Sequence, residues 1–328
     1  MTKPLIAYYG GKQRMTKPLI SYYGGKQRIA ANVVEVIDTI PHTVYFEPFF
    51  GGGAVFFKRV IPHHTNTHHF REVINDKSAL LINLYRTARE HPEEFNSLIE
   101  WTPYSESEHR RSMEICKRPD EHSDMDKAWA YYTNINQSFS HQLNGGWGRG
   151  VYTRNLSATW DNRRSQMPEC LKRLKDVAIA CDDAAVIIPQ WDSPQTLLYC
   201  DPPYPNTDCG HYSGWTDEDH QQLCDQLDNA QGSYILSGYD NPIHPKTFDE
   251  RIEISTLCSA NGKGKVDKDR DRRRAATAEE MGDRQRTEVL WIKNRSANIR
   301  DELGAALQKQ RYTQTDMFEP GNTSEDAQ

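Results

Sequence analysis

Four short runs rich in apolar and aromatic residues punctuate the chain: Thr43-Val44-Tyr45-Phe46, Arg71-Glu72-Val73-Ile74, Thr196-Leu197-Leu198-Tyr199 and Ser233-Tyr234-Ile235-Leu236-Ser237-Gly238. Runs of this length predict strands rather than helices, and the Thr196–Tyr199 run reads as a buried one. Helix-like segments lie around them: Ile29 to Ile37, Ala54 to Arg59, Lys77 to Tyr85, and a stretch containing Trp129-Ala130-Tyr131-Tyr132. Further on, Ile252-Glu253-Ile254 and Val289-Leu290-Trp291-Ile292 predict a hairpin interrupted by a long charged insertion. Together these segments predict an α/β fold: a mixed, mostly parallel sheet flanked by helices. Ligands of such sheets collect beyond the carboxyl ends of the strands. The polar residues at those ends are therefore the first candidates for function.

Behind the Thr196–Tyr199 strand stands Cys200-Asp201-Pro202-Pro203-Tyr204. Two prolines cannot continue a sheet ladder, so the strand must hand over to a rigid turn. That turn fixes a carboxylate, a backbone carbonyl and an aromatic ring together. Asp201 and the Pro202 carbonyl can accept hydrogen bonds from an exocyclic amine, while Tyr204 stacks on the ring that bears it. Behind the Thr43–Phe46 strand stands Glu47-Pro48-Phe49-Phe50-Gly51-Gly52-Gly53, leading into a helix. Strand, glycine loop and helix bring backbone N–H groups against a nucleotide-like ligand. The spacing differs from the G-x-G-x-x-G dinucleotide fingerprint. After the Arg71–Ile74 strand, Asp76 is placed to hold ribose hydroxyls, to cap the following helix, or to do both.

Taken in order, Tyr22-Tyr23-Gly24-Gly25-Lys26, the Phe46–Gly53 loop, Ile74-Asn75-Asp76 and Asp201–Tyr204 resemble the Dam-like (D12 class) N6-adenine DNA methyltransferases, bacteriophage members most closely. The resemblance extends from about Leu19 to Asn294. It implies a Rossmann-like, S-adenosylmethionine-dependent methyltransferase sheet with an inserted, mainly helical target-recognition domain. It also implies S-adenosylmethionine as methyl donor and an adenine flipped out of duplex DNA as acceptor. Carried over by position, Tyr22, Lys26, Glu47, Phe49, Gly51, Gly53, Asp76 and Asp201 would line the cofactor. Asp201, Pro202 and Tyr204 would hold the adenine. Many family members carry Asp where this chain has Glu47, and either acid can pair with an ammonium. The resemblance calls for neither a metal nor a covalent enzyme intermediate. Catalysis would rest on positioning and electrostatics. A cognate restriction endonuclease is a conceivable partner. The same fold could instead methylate cytosine N4 or an RNA base, or persist as a catalytically silent DNA-binding protein. Asp at position 201 leans toward adenine.

Charge alters this picture in one respect. The 328 residues carry 40 Lys and Arg against 46 Asp and Glu, a formal net charge of −6, which is unusual for a DNA binder. The distribution answers that objection, because DNA responds to local patches. Residues 1–28 hold six basic residues and no acid, and 141–175 hold seven against two. The expected organisation is an N-terminal extension (1–14), a catalytic domain (15–92 and 182–312) and a target-recognition domain (93–181). A charged disordered loop (258–287) and an acidic disordered tail (313–328) complete it. Within the inserted segment, Asn144 and Arg149 sit in the glycine-rich run Asn144–Gly150, expected as a mobile loop. With Arg154, Arg163 and Arg164 they are the candidates for DNA contact. A lid is expected over Asn206 to Trp215. No run of about 18 apolar residues and no signal-peptide pattern is present, and the seven cysteines form no C-x-x-C pair. These features predict a soluble cytoplasmic protein with reduced thiols. The histidines 63, 64, 68 and 69 lack the acids or cysteines of a metal site. Finally, residues 1–14 recur as 15–28 with Ser21 for Ala7 the only change. One cofactor site can seat a single copy, and the second leads straight into the Ile29–Ile37 helix. The second copy is therefore expected to be the working one.

Overall fold

The structure is a computed structural model that describes residues 17–21, 26–60, 70–150, 155–204, 215–257 and 285–296. Its elements in chain order are α1 (Ala30–Ile37), β1 (Val44–Glu47), α2 (Ala54–Lys58), β2 (Arg71–Asn75), α3 (Ala79–Glu90), α4 (Pro92–Glu100), α5 (Glu106–Lys117) and α6 (Asp124–Gln137). There follow α7 (Leu156–Arg164), α8 (Met167–Arg173), β3 (Val177–Ala180), α9 (Ala184–Trp191), β4 (Thr196–Cys200), α10 (Asp217–Asn229), β5 (Ser233–Gly238), β6 (Glu250–Leu257) and β7 (Gln285–Lys293).

The strands form one sheet in the order β3-β2-β1-β4-β5-β7-β6. β3 to β5 run parallel, and β7 is antiparallel to both β5 and β6. The period of two along each strand sorts its side chains between two faces. Tyr45, Leu197, Tyr199, Ile235, Leu290 and Ile292 pack with α1 on one face. Phe46, Leu198, Cys200, Tyr234, Leu236 and Trp291 pack with α9 and α10 on the other. Both faces are covered, which explains why the parallel strands read as apolar runs rather than as alternations. The expected hairpin forms with Ile252 opposite Leu290. The strand order reverses between β1 and β4, so their carboxyl ends flank the topological switch point where open α/β sheets bind ligands.

Two expectations about organisation change. Val177–Ala180, assigned from sequence to the inserted segment, is an edge strand of the sheet, in parallel register with β2 from Glu72↔Val177 to Asn75↔Ala180. The inserted helices also have no separate core. Trp129, Tyr131, Tyr132, Trp160 and Met167 bury together with Phe50 and Phe57, which follow β1, and with Ile74 of β2. Glu72 on β2 adds a buried ionic link, pairing with Arg59 at the end of α2 and with Arg173 of α8. The insertion is thereby fastened to the sheet that carries the candidate site. Among the described residues, no helix is long and apolar enough to cross a membrane.

Candidate active site

At the end of β1 the chain turns sharply through Pro48 to Gly53, and β2 holds that turn in place. The Phe50 N–H donates to the Asn75 carbonyl (2.9 Å), and Asn75 Nδ2 donates to the carbonyls of Pro48 and Asp182 (3.0 Å each). Asp76 accepts from the Gly51 N–H at Oδ2 and from the Ser78 N–H at Oδ1, both at 2.9 Å. Ser78 is the N-cap of α3, with its hydroxyl accepting from Leu81 N–H. Asp76 therefore joins the glycine loop to the helix start and does not itself cap the helix. Burial raises its pKa, against the two backbone donors. Gly53 has φ 65°, and a Cβ there would lie 2.4 Å from the Phe50 ring, so the loop admits only glycine at that point. Phe49 meets Trp215 edge-on at 5.4 Å.

Glu47 ends β1 beneath this loop. It is buried and accepts a 2.6 Å hydrogen bond from the Tyr45 hydroxyl, two residues back on the same face. Burial pushes its pKa up to about 8, against the Tyr45 bond and the field of Arg59. No basic side chain pairs with it among the described residues, because Arg59 is committed to Glu72 and to the Tyr45 ring face. A buried carboxylate short of a cation, beside a left-handed glycine loop, suits the ammonium of an amino-acid-bearing ligand. Without such a ligand, stability is fullest while Glu47 is protonated and falls as pH rises from the ordinary carboxylate range through about 8. Glu47→Gln should therefore melt higher than the parent by roughly 4 °C or more at about pH 9, and almost equally at about pH 5. Thermal melts of the ligand-free proteins across that range test this, and equal melting at about pH 9 would refute it.

Across the switch point, Asp201 follows β4. Its side chain is 21% exposed, enough to meet a substrate. Lys26 Nζ stands 3.1 Å from Asp201 Oδ1 and 2.9 Å from Glu288 Oε2 on β7. The Tyr204 hydroxyl lies 3.0 Å from each of the same two oxygens, and Lys26 Nζ sits 4.4 Å from the Tyr204 ring centre. Tyr239, just beyond β5, packs edge-on against that ring at 4.6 Å. Burial raises the Asp201 pKa, Lys26 opposes the rise and Glu288 adds to it, leaving it at about 6. Burial works against the charge on Lys26, but the two carboxylates outweigh it and its pKa is raised.

Lys26, Glu47, Phe49, Gly51, Gly53, Asp76, Asp201, Pro202 and Tyr204 thus gather around the ends of β1, β2 and β4. Lys26 was expected at the cofactor, and its ammonium is engaged with Asp201 and Tyr204 of the turn after β4 and with Glu288. Tyr22, Arg154, the histidines 63, 64, 68 and 69, most of the expected lid, the first repeat copy and the acidic tail lie outside the described residues, as does most of the charged loop. Of the second repeat copy, residues 17–21 and 26–28 are described: Leu19, Ile20 and Lys26 are buried, and the Ser21 hydroxyl accepts from Arg163. That bond turns Arg163 inward. Arg164 likewise donates to the Glu100 and Thr102 carbonyls and pairs with Asp161. Both arginines, expected at phosphates, are committed to protein acceptors. Asn144 has φ 58° and exchanges hydrogen bonds with Asn134, which makes it a turn former. The run expected to be mobile is tied back through Phe139 N–H to the Gly146 carbonyl and Gly148 N–H to the Gln137 carbonyl. Arg149 remains exposed, and Phe139 is 73% exposed in the adjoining turn. Sequence reading missed Glu288, which sits within a strand and carries no motif of its own, and gave no role to Asn75, although it stands in the Ile74-Asn75-Asp76 motif.

No curated protein matches the sequence. Two solved structures of the rRNA methyltransferase aviRa from Streptomyces viridochromogenes align at 10% identity over 89% and 87% of this chain, and 91% and 88% of theirs, with TM-scores of 0.32 and 0.31. A likeness that loose carries no argument about substrate. The family of D12 class N6 adenine-specific DNA methyltransferases, by contrast, matches residues 22–255, from the Tyr-Tyr-Gly-Gly-Lys motif through the β4 turn and into β6. With the matched region spanning most of the chain and both strand-end motifs, this protein belongs to the D12 class N6 adenine-specific DNA methyltransferase family.

Proposed function

We propose that the protein transfers a methyl group from S-adenosylmethionine to N6 of an adenine flipped out of duplex DNA. The observation that carries this reading is the placement of the Asp201-Pro202 acceptors across the switch point from Glu47 and the glycine loop. One side offers a partner for an ammonium and backbone N–H groups, and the other offers acceptors for an exocyclic amine. When bound, the cofactor supplies an electrophilic methyl on a sulfonium. Glu47 would hold its ammonium and Asp76 its ribose. Asp201 and the Pro202 carbonyl would accept from the two N6 hydrogens, bending the nitrogen toward a tetrahedral shape and aiming its lone pair. Extruding the base costs a few kcal/mol, and stacking on Tyr204 offsets part of that. On the DNA side, Arg149 and Phe139 are the exposed candidates. Replacing Arg163 or Arg164 would disturb the helical insertion and not report on phosphate contacts.

Incubating the purified protein with labelled S-adenosylmethionine and duplexes whose modifiable amines are only adenine, or only cytosine, tests the reading. Label in the adenine duplex, mapped to N6, is expected. Label confined to the cytosine duplex or to an RNA control would overturn it.

A further inference from the structure

Glu288 is the one acid in the site that no motif announces. It lies on β7, antiparallel to β5, and its side chain is 12% exposed. Lys26 and Tyr204 connect it to Asp201, and each bridging atom lies about equally far from the two carboxylates. The Tyr204 hydroxyl has one hydrogen. It can donate to Asp201 or to Glu288, and its second short contact then needs a proton on one of the acids. Two carboxylates sharing one ammonium within about 6 Å carry a net negative charge, and like charges that close favour binding of a proton.

We propose that Glu288 is a positioning residue that makes Asp201 a proton acceptor: it holds Lys26 and Tyr204 against Asp201 and, as a second carboxylate sharing their hydrogens, strengthens Asp201 as a base. The proposal rests on the adenine reading above for the identity of the amine. As the carbon–N6 bond forms and the sulfur–carbon bond breaks, N6 carries one hydrogen too many, and Asp201 takes that proton. Tyr204 can pass a proton to Glu288 while taking one from Asp201, spreading the charge over the pair until water removes it. Other groups around Asp201 are Tyr199 and Cys200 on β4 and Glu47 on β1. All are neutral or partly neutral near pH 7 in the ligand-free protein, because burial raises each pKa, that of Glu47 to about 8. Glu288 is therefore the acid that meets Asp201 through shared partners.

The test uses the full chain in two arms. In the first, the carboxyl carbon of Asp201 is titrated by NMR in ligand-free protein, with Asp201→Asn providing the assignment. The Asp201 midpoint should fall by about one pH unit in Glu288→Gln, because a like charge has gone. Glu288→Asp keeps the charge at longer reach and should fall between Gln and parent. It also serves as the reading if the Gln variant does not fold. In the second arm, single-turnover methyl transfer in Glu288→Gln should slow by about tenfold. The acid limb of its pH profile should move to lower pH, with DNA and cofactor affinities within about threefold of the parent. A merely structural role would lower stability without moving the limb. An unmoved Asp201 midpoint, or parent-like turnover in Glu288→Gln, would overturn the proposal. If the parent methylated a different amine, the adenine reading would fail, while the first arm would still decide whether Glu288 sets the basicity of Asp201.

Discussion

Asp201→Asn leaves a folded protein that binds S-adenosylmethionine and transfers methyl at least about a thousandfold more slowly, a loss of about 4 kcal/mol of transition-state stabilisation. The size follows from position. Asp201 is the partly exposed carboxylate of the site and the nearest acceptor for an amine entering at the β4 turn. Folding should survive, because Lys26 keeps its 2.9 Å partner in Glu288 and removing one of two neighbouring negative charges relieves repulsion. Cofactor affinity should change by less than about fivefold, since Glu47, Asp76 and the glycine loop are untouched. Equilibrium binding and single-turnover rates on the same preparation separate the two effects. A variant that turned over within about tenfold of the parent would remove Asp201 from the chemistry. Tyr204→Phe gains weight from the same geometry. From sequence, stacking alone matters and the hydroxyl is dispensable. In the structure that hydroxyl bridges Asp201 and Glu288, so its removal should slow transfer by about tenfold.

The strands were legible because they are buried on both faces and short: β1, β2, β4 and β5 lie within one residue of where the apolar runs place them. β3 escaped notice because Val177–Ala180 is a four-residue edge strand, half solvated, following a helix without a turn signal. Residues fixed by local backbone demands could also be read directly. Gly51 and Gly53 have positive φ, and the prolines after Asp201 end a strand. What sequence could not reveal are partners brought in by topology. Glu288 reaches Lys26 across 262 residues because β7 inserts between β5 and β6. Nothing local to either residue encodes that meeting. For the same reason, basic residues counted along the chain are poor guides to a DNA face. Arg163, Arg164 and Arg173 fall in a basic stretch of sequence yet point into the fold, where backbone carbonyls, Ser21 and Glu72 take up their donors.

Lys26→Ala reduces turnover by about a hundredfold or more, whereas Lys12→Ala, the same change in the first copy of the repeat, leaves it unaltered. Without Lys26, Asp201 and Glu288 face each other with no cation between them. The pair then holds a proton more tightly, and the acid limb of the pH profile moves to higher pH. This shift is opposite in sign to that expected for Glu288→Gln, so the two variants check each other. The second copy is favoured on two grounds. It runs directly into α1, while use of the first would require residues 15–28 to loop out, with an added closure cost. It also holds the single difference between the copies at a position that matters. The Ser21 hydroxyl accepts from Arg163, a largely buried guanidinium, and Ala7 has no acceptor to offer there. Leaving a buried charged donor without that partner costs on the order of 1–3 kcal/mol. A protein beginning at Met15 should accordingly match the full chain in cofactor affinity and turnover. It would be expected to bind DNA slightly more weakly, for want of Lys3, Lys12 and Arg14. Loss of activity in Lys12→Ala, or retention of it in Lys26→Ala, would mean that the first copy occupies the site.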